Sequence, residues 1–107
     1  MKEITSRDLR ESLTLLFLKR QDDHEGGWEE RWVEGPHLWA SLWPLWNEEN
    51  NHPSYRIIIR ATLQLPTKIG FLWHLTQVSK RLLVVGAPTL IQYNRFLSMK
   101  AKEEQNA

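Results

Sequence analysis

From Asp22 onward, turn-forming residues interrupt the chain at intervals of about ten residues, and this spacing restricts the fold more than any other feature. The interruptions are Asp22 to Gly27, Gly35-Pro36, Pro44 to Pro53, Pro66 to Gly70, Ser79-Lys80 and Ala87-Pro88-Thr89. Segments this short are ample for strands but leave little room for helices. Tyr55 to Leu65 has the clearest strand pattern, with Tyr55, Ile57 and Ile59 on one face and Arg56, Ile58 and Arg60 on the other. Leu38 to Trp43 sets Leu38, Ala40 and Leu42 against Trp39, Ser41 and Trp43, and Trp28 to Val33 has strand composition. Glu11 to Arg20 fits a strand buried on both faces or the end of a helix. The polar turn that follows favours a hairpin, because Gly26-Gly27 supplies the positive φ of a tight reversal. Phe71 to Val78, Arg81 to Gly86 and Leu90 to Ala101 read as three further strands. The expectation is an all-β chain, a small β-barrel of about six to seven short antiparallel strands with one long loop at Pro44 to Pro53. Residues 1–10 and 102–107 are expected to be flexible ends of a single domain spanning 1–107.

A chain of 107 residues buries only about two thirds of its unfolded surface, so each large side chain matters. Six tryptophans are present, each able to bury roughly 150–250 Å². Trp32, Trp39 and Trp43 are candidate core or interface aromatics, with packing of the barrel the first assignment for Trp39 and Trp43. The absence of cysteine excludes disulfides, thiolate catalysis and Cys-based zinc sites. His24, His37, His52 and His74 lack metal-ligand spacing, and Asp22, Asp23 and Glu25 lack the alternating ligands of a calcium loop. Glu29-Glu30 and Glu48-Glu49 are adjacent pairs that a strand would point to opposite faces, which argues against a two-carboxylate hydrolase. No nucleophile elbow or phosphate loop occurs. No catalytic residue, metal or cofactor is therefore expected, and the chain is expected not to be an enzyme. Leu13 to Leu18 is too short to span a membrane, and no membrane partner is expected.

Charge is divided along the chain. Asp22 to Glu49 holds eight acidic residues against Arg31 alone, whereas Asn50 to Lys102 holds eight Lys or Arg and no acidic residue. Three readings follow: strands bring the halves together and neutralise them, the acidic region of one copy meets the basic region of the next, or a basic face meets DNA. Aromatic residues with Lys and Arg suit single-stranded nucleic acid, but five of the six Trp lie in the acidic half. A small nucleic-acid-binding β-barrel and a general protein-interaction module are the alternative functions.

The order of parts resembles the small head-tail joining proteins, also called stoppers or head-completion proteins, of tailed phages and gene transfer agents. The parts are the acidic turn Asp23 to Gly27, Trp32, Trp39-Ala40-Ser41-Leu42-Trp43-Pro44, the loop with Glu48-Glu49, the strand Tyr55 to Arg60, then Arg81 to Val85 and Phe96 to Glu104. The chain departs from that pattern at Trp73-His74 and Leu90-Ile91. The resemblance implies a structural virion protein made in the host cytoplasm, forming a ring of its own copies below the portal or adaptor, retaining packaged double-stranded DNA and joining head to tail. It makes Glu48, Glu49, Asn50, Asn51 and His52 the candidate lumen or tail-facing loop, where carboxylates would repel passing DNA. Beside it, the charge division makes Arg56 and Arg60 candidate inter-subunit contacts for the acidic stretch that includes Asp22, Asp23 and Glu30.

Overall fold

The computed structural model describes residues 4–45, 53–61, 65 and 68–104. Its strands are β1 (Glu11–Asp22), β2 (Trp28–Leu45), β3 (Ser54–Arg60), β4 (Ile69–His74), β5 (Ser79–Ile91) and β6 (Phe96–Glu103). They close into a barrel in the order β1-β2-β3-β6-β5-β4, and every neighbouring pair is antiparallel. The expected all-β barrel is thus present. Alternation accounts for its interior: Leu13 and Leu15 on β1, Ala40 on β2, Ile57 and Ile59 on β3, Phe71 on β4, Leu82 on β5, and Met99 and Ala101 on β6 all point inward and pack together.

Three expected breaks lie inside strands, the simplest being Ser79-Lys80, which opens β5 and pairs with Trp73 and His74. Thr14 pairs with His37 and Leu16 with Glu34, so three steps along β2 match two along β1, and Gly35-Pro36 forms a bulge in one long strand. Proline has no N–H to give to the ladder, and a bulge is one of the few strand positions that tolerates it. The same correction applies to Ala87-Pro88-Thr89. Val85 pairs with Lys100 and Thr89 with Ser98, four steps on β5 against two on β6, and Gly86 turns the chain at φ 81°. The reversal falls later, at Gln92, Tyr93 and Asn94, with φ of 49°, 56° and 63°. It divides the segment Leu90 to Ala101, expected to be one strand. Strand β4 also starts earlier and ends sooner than expected, because the Leu75 N–H bonds the Val78 carbonyl and closes a turn.

Residues 4–10, part of the segment expected to be a flexible end, pack on the barrel. Ile4 and Leu9 are buried against Ile58 and Phe96 on the outside of the barrel, flanking a single 3₁₀ turn at Ser6–Asp8. The Ile4 N–H donates to Gln92 Oε1 at 2.6 Å, and Gln92 Nε2 donates back to the Ile4 carbonyl at 2.7 Å. This segment explains how isoleucine occupies an outward position between Arg56 and Arg60: Ile58 belongs to a second, external apolar cluster. At the other terminus β6 continues through Lys102, which pairs with Ser54 and Leu83. Lys80 Nζ lies 3.5 Å from Glu103, and Arg81 Nε lies 3.0 Å from Glu104 without an aligned hydrogen bond, so the second contact is ionic. Tyr55 donates to Glu103 at 3.4 Å; partial burial, followed by the Glu103 charge, raises the phenol above its ordinary pKa.

The β1–β2 hairpin reaches past the barrel. The β1–β4 ladder ends at Phe17 and Ile69, whereas β1 and β2 stay paired out to Asp22 and Trp28. The resulting two-stranded arm turns at Asp23, whose Oδ1 accepts the N–H groups of Glu25 at 2.8 Å and Gly27 at 2.9 Å. Those two bonds favour the carboxylate and hold its pKa below the usual 3.8. Their contribution is complete above the unfolded pKa and is lost as pH falls through the lower folded value. Exchange of the Glu25 and Gly27 amides is expected to accelerate on acidification through that range, and Asp23→Asn should largely remove the pH dependence. Equal pH dependence in both proteins would sink this account of the turn.

Candidate functional site

Residues directly opposite in an antiparallel sheet share a face, so the strand register lays out the barrel's outer wall. One row across β2, β3, β6 and β5 reads Trp43, Arg56, Lys100 and Val85. The next reads Ser41, Ile58, Ser98 and Thr89, and a third brings Arg60, Phe96 and Ile91 together. Trp39, two residues before Ser41, lies on this same face of β2. Its indole is 57% exposed and that of Trp43 46%. The expectation that these two tryptophans pack the barrel is therefore corrected: Ala40 and Leu42 take the inward positions of that strand. Trp32 is half-buried, with the Arg81 guanidinium 5.3 Å from its ring centre.

Two hydrogen bonds order the wall. Trp43 Nε1 donates to Ser41 Oγ at 2.6 Å, and Arg56 Nη1 donates to Ser98 Oγ at 2.9 Å. Between them lies an open groove of about 710 Å³ lined by Ile4, Trp43, Arg56, Ile58, Ile91 and Ser98. A smaller hollow of about 270 Å³ lies beside Trp39 and Arg60 and is bounded by Leu9 and His37. The wall thus combines an apolar floor, aromatic edges and cations.

The candidate carboxylates occupy the arm. Asp22 stands opposite Trp28 and accepts the His24 N–H at 3.0 Å, Asp23 is engaged in the turn, and Glu30 stands opposite Arg20. From Gln21 to Glu30 there are five acidic residues and no Lys or Arg. Trp28 is 65% exposed, with the Arg20 guanidinium 5.4 Å from its ring centre. Among the described residues no ion pair joins these carboxylates to Arg56 or Arg60; Lys80 and Arg81 pair with Glu103 and Glu104 instead. The structure therefore groups Arg56 and Arg60 with Trp39 and Trp43, and separately groups Asp22, Asp23 and Glu30 with Trp28. Glu48, Glu49, Asn50, Asn51 and His52 lie outside the described residues.

Sequence reasoning missed Lys100 as the cation opposite Arg56, Trp28 as an exposed aromatic at the arm, and Ile4 and Leu9 as part of the wall's apolar floor. An indole flanked by an acidic turn on one side and Glu29-Glu30 on the other was the available sign of exposure. Among the described residues no three His, Asp or Glu gather as metal ligands, and no helix is long and apolar enough to cross a membrane.

No protein-family model matches the chain, and no curated protein sequence matches it. Solved structures share its fold, among them the following two. The chain is similar to protein SF1141 from Shigella flexneri 2a, known from a solution structure, with a TM-score of 0.76 at 22% identity over 94% of this chain and 96% of that one. It is also similar to a chain from the virion of a native gene transfer agent particle, with a TM-score of 0.62 at 21% identity over 90% of this chain and 94% of that one. In both cases the likeness extends over nearly the whole barrel, and what it shows is a common architecture.

Proposed function

We propose that this chain is a structural, non-enzymatic component of a phage-like or gene transfer agent virion, acting at the junction of head and tail. In this reading its copies form a ring below the portal or adaptor, where they retain packaged double-stranded DNA and receive the tail. The observation that carries the proposal is the match over 90% of the chain to a virion chain of a gene transfer agent particle. The residue pattern supports it independently, through the order of acidic turn, Trp-Ala strand and Tyr-Arg strand. Physically, a closed barrel with one acidic projection and one basic wall offers two unlike surfaces, which is what a ring of head-to-tail contacts requires.

The test uses DNA-filled heads of the source strain that lack this chain. Purified protein added to them is expected to cosediment with the heads, to stop DNA leakage and to restore tail attachment. Failure to associate with heads, neighbouring ring proteins or tails would remove the proposal.

A specific observation also favours a nucleic-acid-binding barrel. Most tryptophans lie in the acidic half of the sequence, yet pairing of β2 with β3 sets Trp43 directly opposite Arg56. Stacking platform and phosphate-binding cation are thereby interleaved. Oligonucleotide binding that quenches tryptophan emission and weakens steeply with salt, in a protein that does not bind heads, would select this second reading.

A further inference from the structure

The arm and the wall are complementary in three respects. The outer part of the arm carries five acidic residues between Gln21 and Glu30, with Lys19, Arg20 and Arg31 behind them, whereas the outward residues of β3 and β6 include Arg56, Arg60 and Lys100 and no carboxylate. The arm presents Trp28 at 65% exposure, and the wall presents an apolar groove of about 710 Å³ edged by Trp43 and Arg56. The arm also extends past the barrel's ladders, since its strands pair only with each other beyond Phe17; Trp32 at its base rests near Arg81, and Trp28 lies farther out. We infer that the β1–β2 arm of one copy docks on the β2–β3–β6 wall of the next, with Trp28 seated in the groove and Asp22 and Glu30, the carboxylates that share its face, toward Arg56 and Lys100.

This assignment rests on the proposal that the chain assembles with its own copies, and it names the contact that does so. Such a contact is heterologous: each copy gives an arm and receives one, so contacts propagate and close into a ring when the rotation permits. Trp28 supplies the anchor, an aromatic entering an apolar pocket near the centre of the contact, and the surrounding charges set register and partner choice. A second copy fits the groove because its floor of Ile4, Ile58 and Ile91 is apolar and suits an indole, while Arg56 at the edge suits a carboxylate.

The test uses purified full-length chain without heads, tails or DNA. Association is expected to grow with protein concentration and to weaken as salt is raised. Trp28→Ala is expected to weaken it by roughly tenfold to a hundredfold. Asp22→Lys with Glu30→Lys, and separately Arg56→Glu with Lys100→Glu, should each weaken it by about tenfold or more. An equimolar mixture of the two charge-reversed proteins should regain association, because each reversed surface then meets a complementary one. The chain has no native cysteine, so Glu30→Cys in one copy and Lys100→Cys in another should form a disulfide-linked dimer on oxidation. Circular dichroism of each variant separates loss of docking from loss of fold.

A wild-type chain that stays monomeric at every concentration and salt, or charge-reversed proteins that do not complement, would overturn the inference. So would duplex DNA binding through Arg56 and Lys100 without self-association, which would assign the wall to nucleic acid. Because heads are absent, failure here leaves the particle experiment unaffected. A failed particle experiment likewise leaves a measured self-association standing.

Discussion

Phe71→Ala is expected to lower the unfolding free energy by about 3–5 kcal/mol, the usual range for truncating a buried aromatic. Phe71 is fully buried at the middle of β4, with Leu15 of β1 opposite it on one side and Leu82 of β5 on the other. These three side chains form a continuous inward row across the barrel. A closed sheet cannot collapse readily onto a missing ring, because its circumference is fixed by hydrogen bonding. Domains of this size commonly hold only about 5–15 kcal/mol in total, so the variant should be largely destabilised at ordinary temperature. Urea unfolding would show a lower midpoint at unchanged slope. A loss below about 1 kcal/mol would mean that the interior is not packed around this ring.

Gly70→Val is the second large effect. A Cβ at Gly70 would stand 2.7 Å from the Leu82 carbonyl oxygen and 3.2 Å from Leu83 Cδ2. The leucine methyl can turn aside, but the carbonyl belongs to the ladder in which Gly70 pairs with Leu83. Relief therefore requires the two strands to separate. Overpacking of this kind costs about 1–3 kcal/mol for a small addition, so Gly70→Ala should fall in that range and Gly70→Val at or beyond its upper end. The measurement is again chemical unfolding, combined with amide exchange along β4 and β5. A local rise in exchange should accompany the loss of stability, and an unaltered exchange pattern would place the strain elsewhere.

The fold class was legible because the strongest signals were local. Asp22 to Gly27 is a turn by residue type, and the alternation from Tyr55 to Arg60 corresponds to an inward face of Ile57 and Ile59. Errors arose where local and tertiary preferences diverge. Gly35-Pro36 and Ala87-Pro88 are strong breakers locally, yet the barrel absorbs both as bulges, which also bend the strands. The true reversal at Gln92 to Asn94 has neither glycine nor proline to announce it, and its left-handed residues are held in part by the Gln92 bonds to Ile4. Those same bonds organise an N-terminal segment whose polarity had indicated looseness. For the candidate site, the arginines were found by alternation. The tryptophans were misplaced because alternation fixes which residues share a face without saying which face is inside. The pairing of acidic with basic stretches along the sequence was equally uninformative about space: β1, not the basic half, stands beside the acidic strand of the arm.

The projecting arm has one further consequence. Closing a barrel removes free strand edges, but β1 beyond Phe17 and β2 before Ser41 lie outside the ladders with β4 and β3. Among the described residues this leaves two backbone edges open along the arm, which is the usual template for unwanted strand addition and aggregation. Lys19, Arg20, Glu29, Glu30 and Arg31 lie along these edges, and charged side chains are a common means of discouraging such growth. The arm's charges therefore have a protective role that is independent of any partner. Replacing them all with neutral residues would sacrifice solubility before it could report on recognition, whereas reversing their sign preserves the guard.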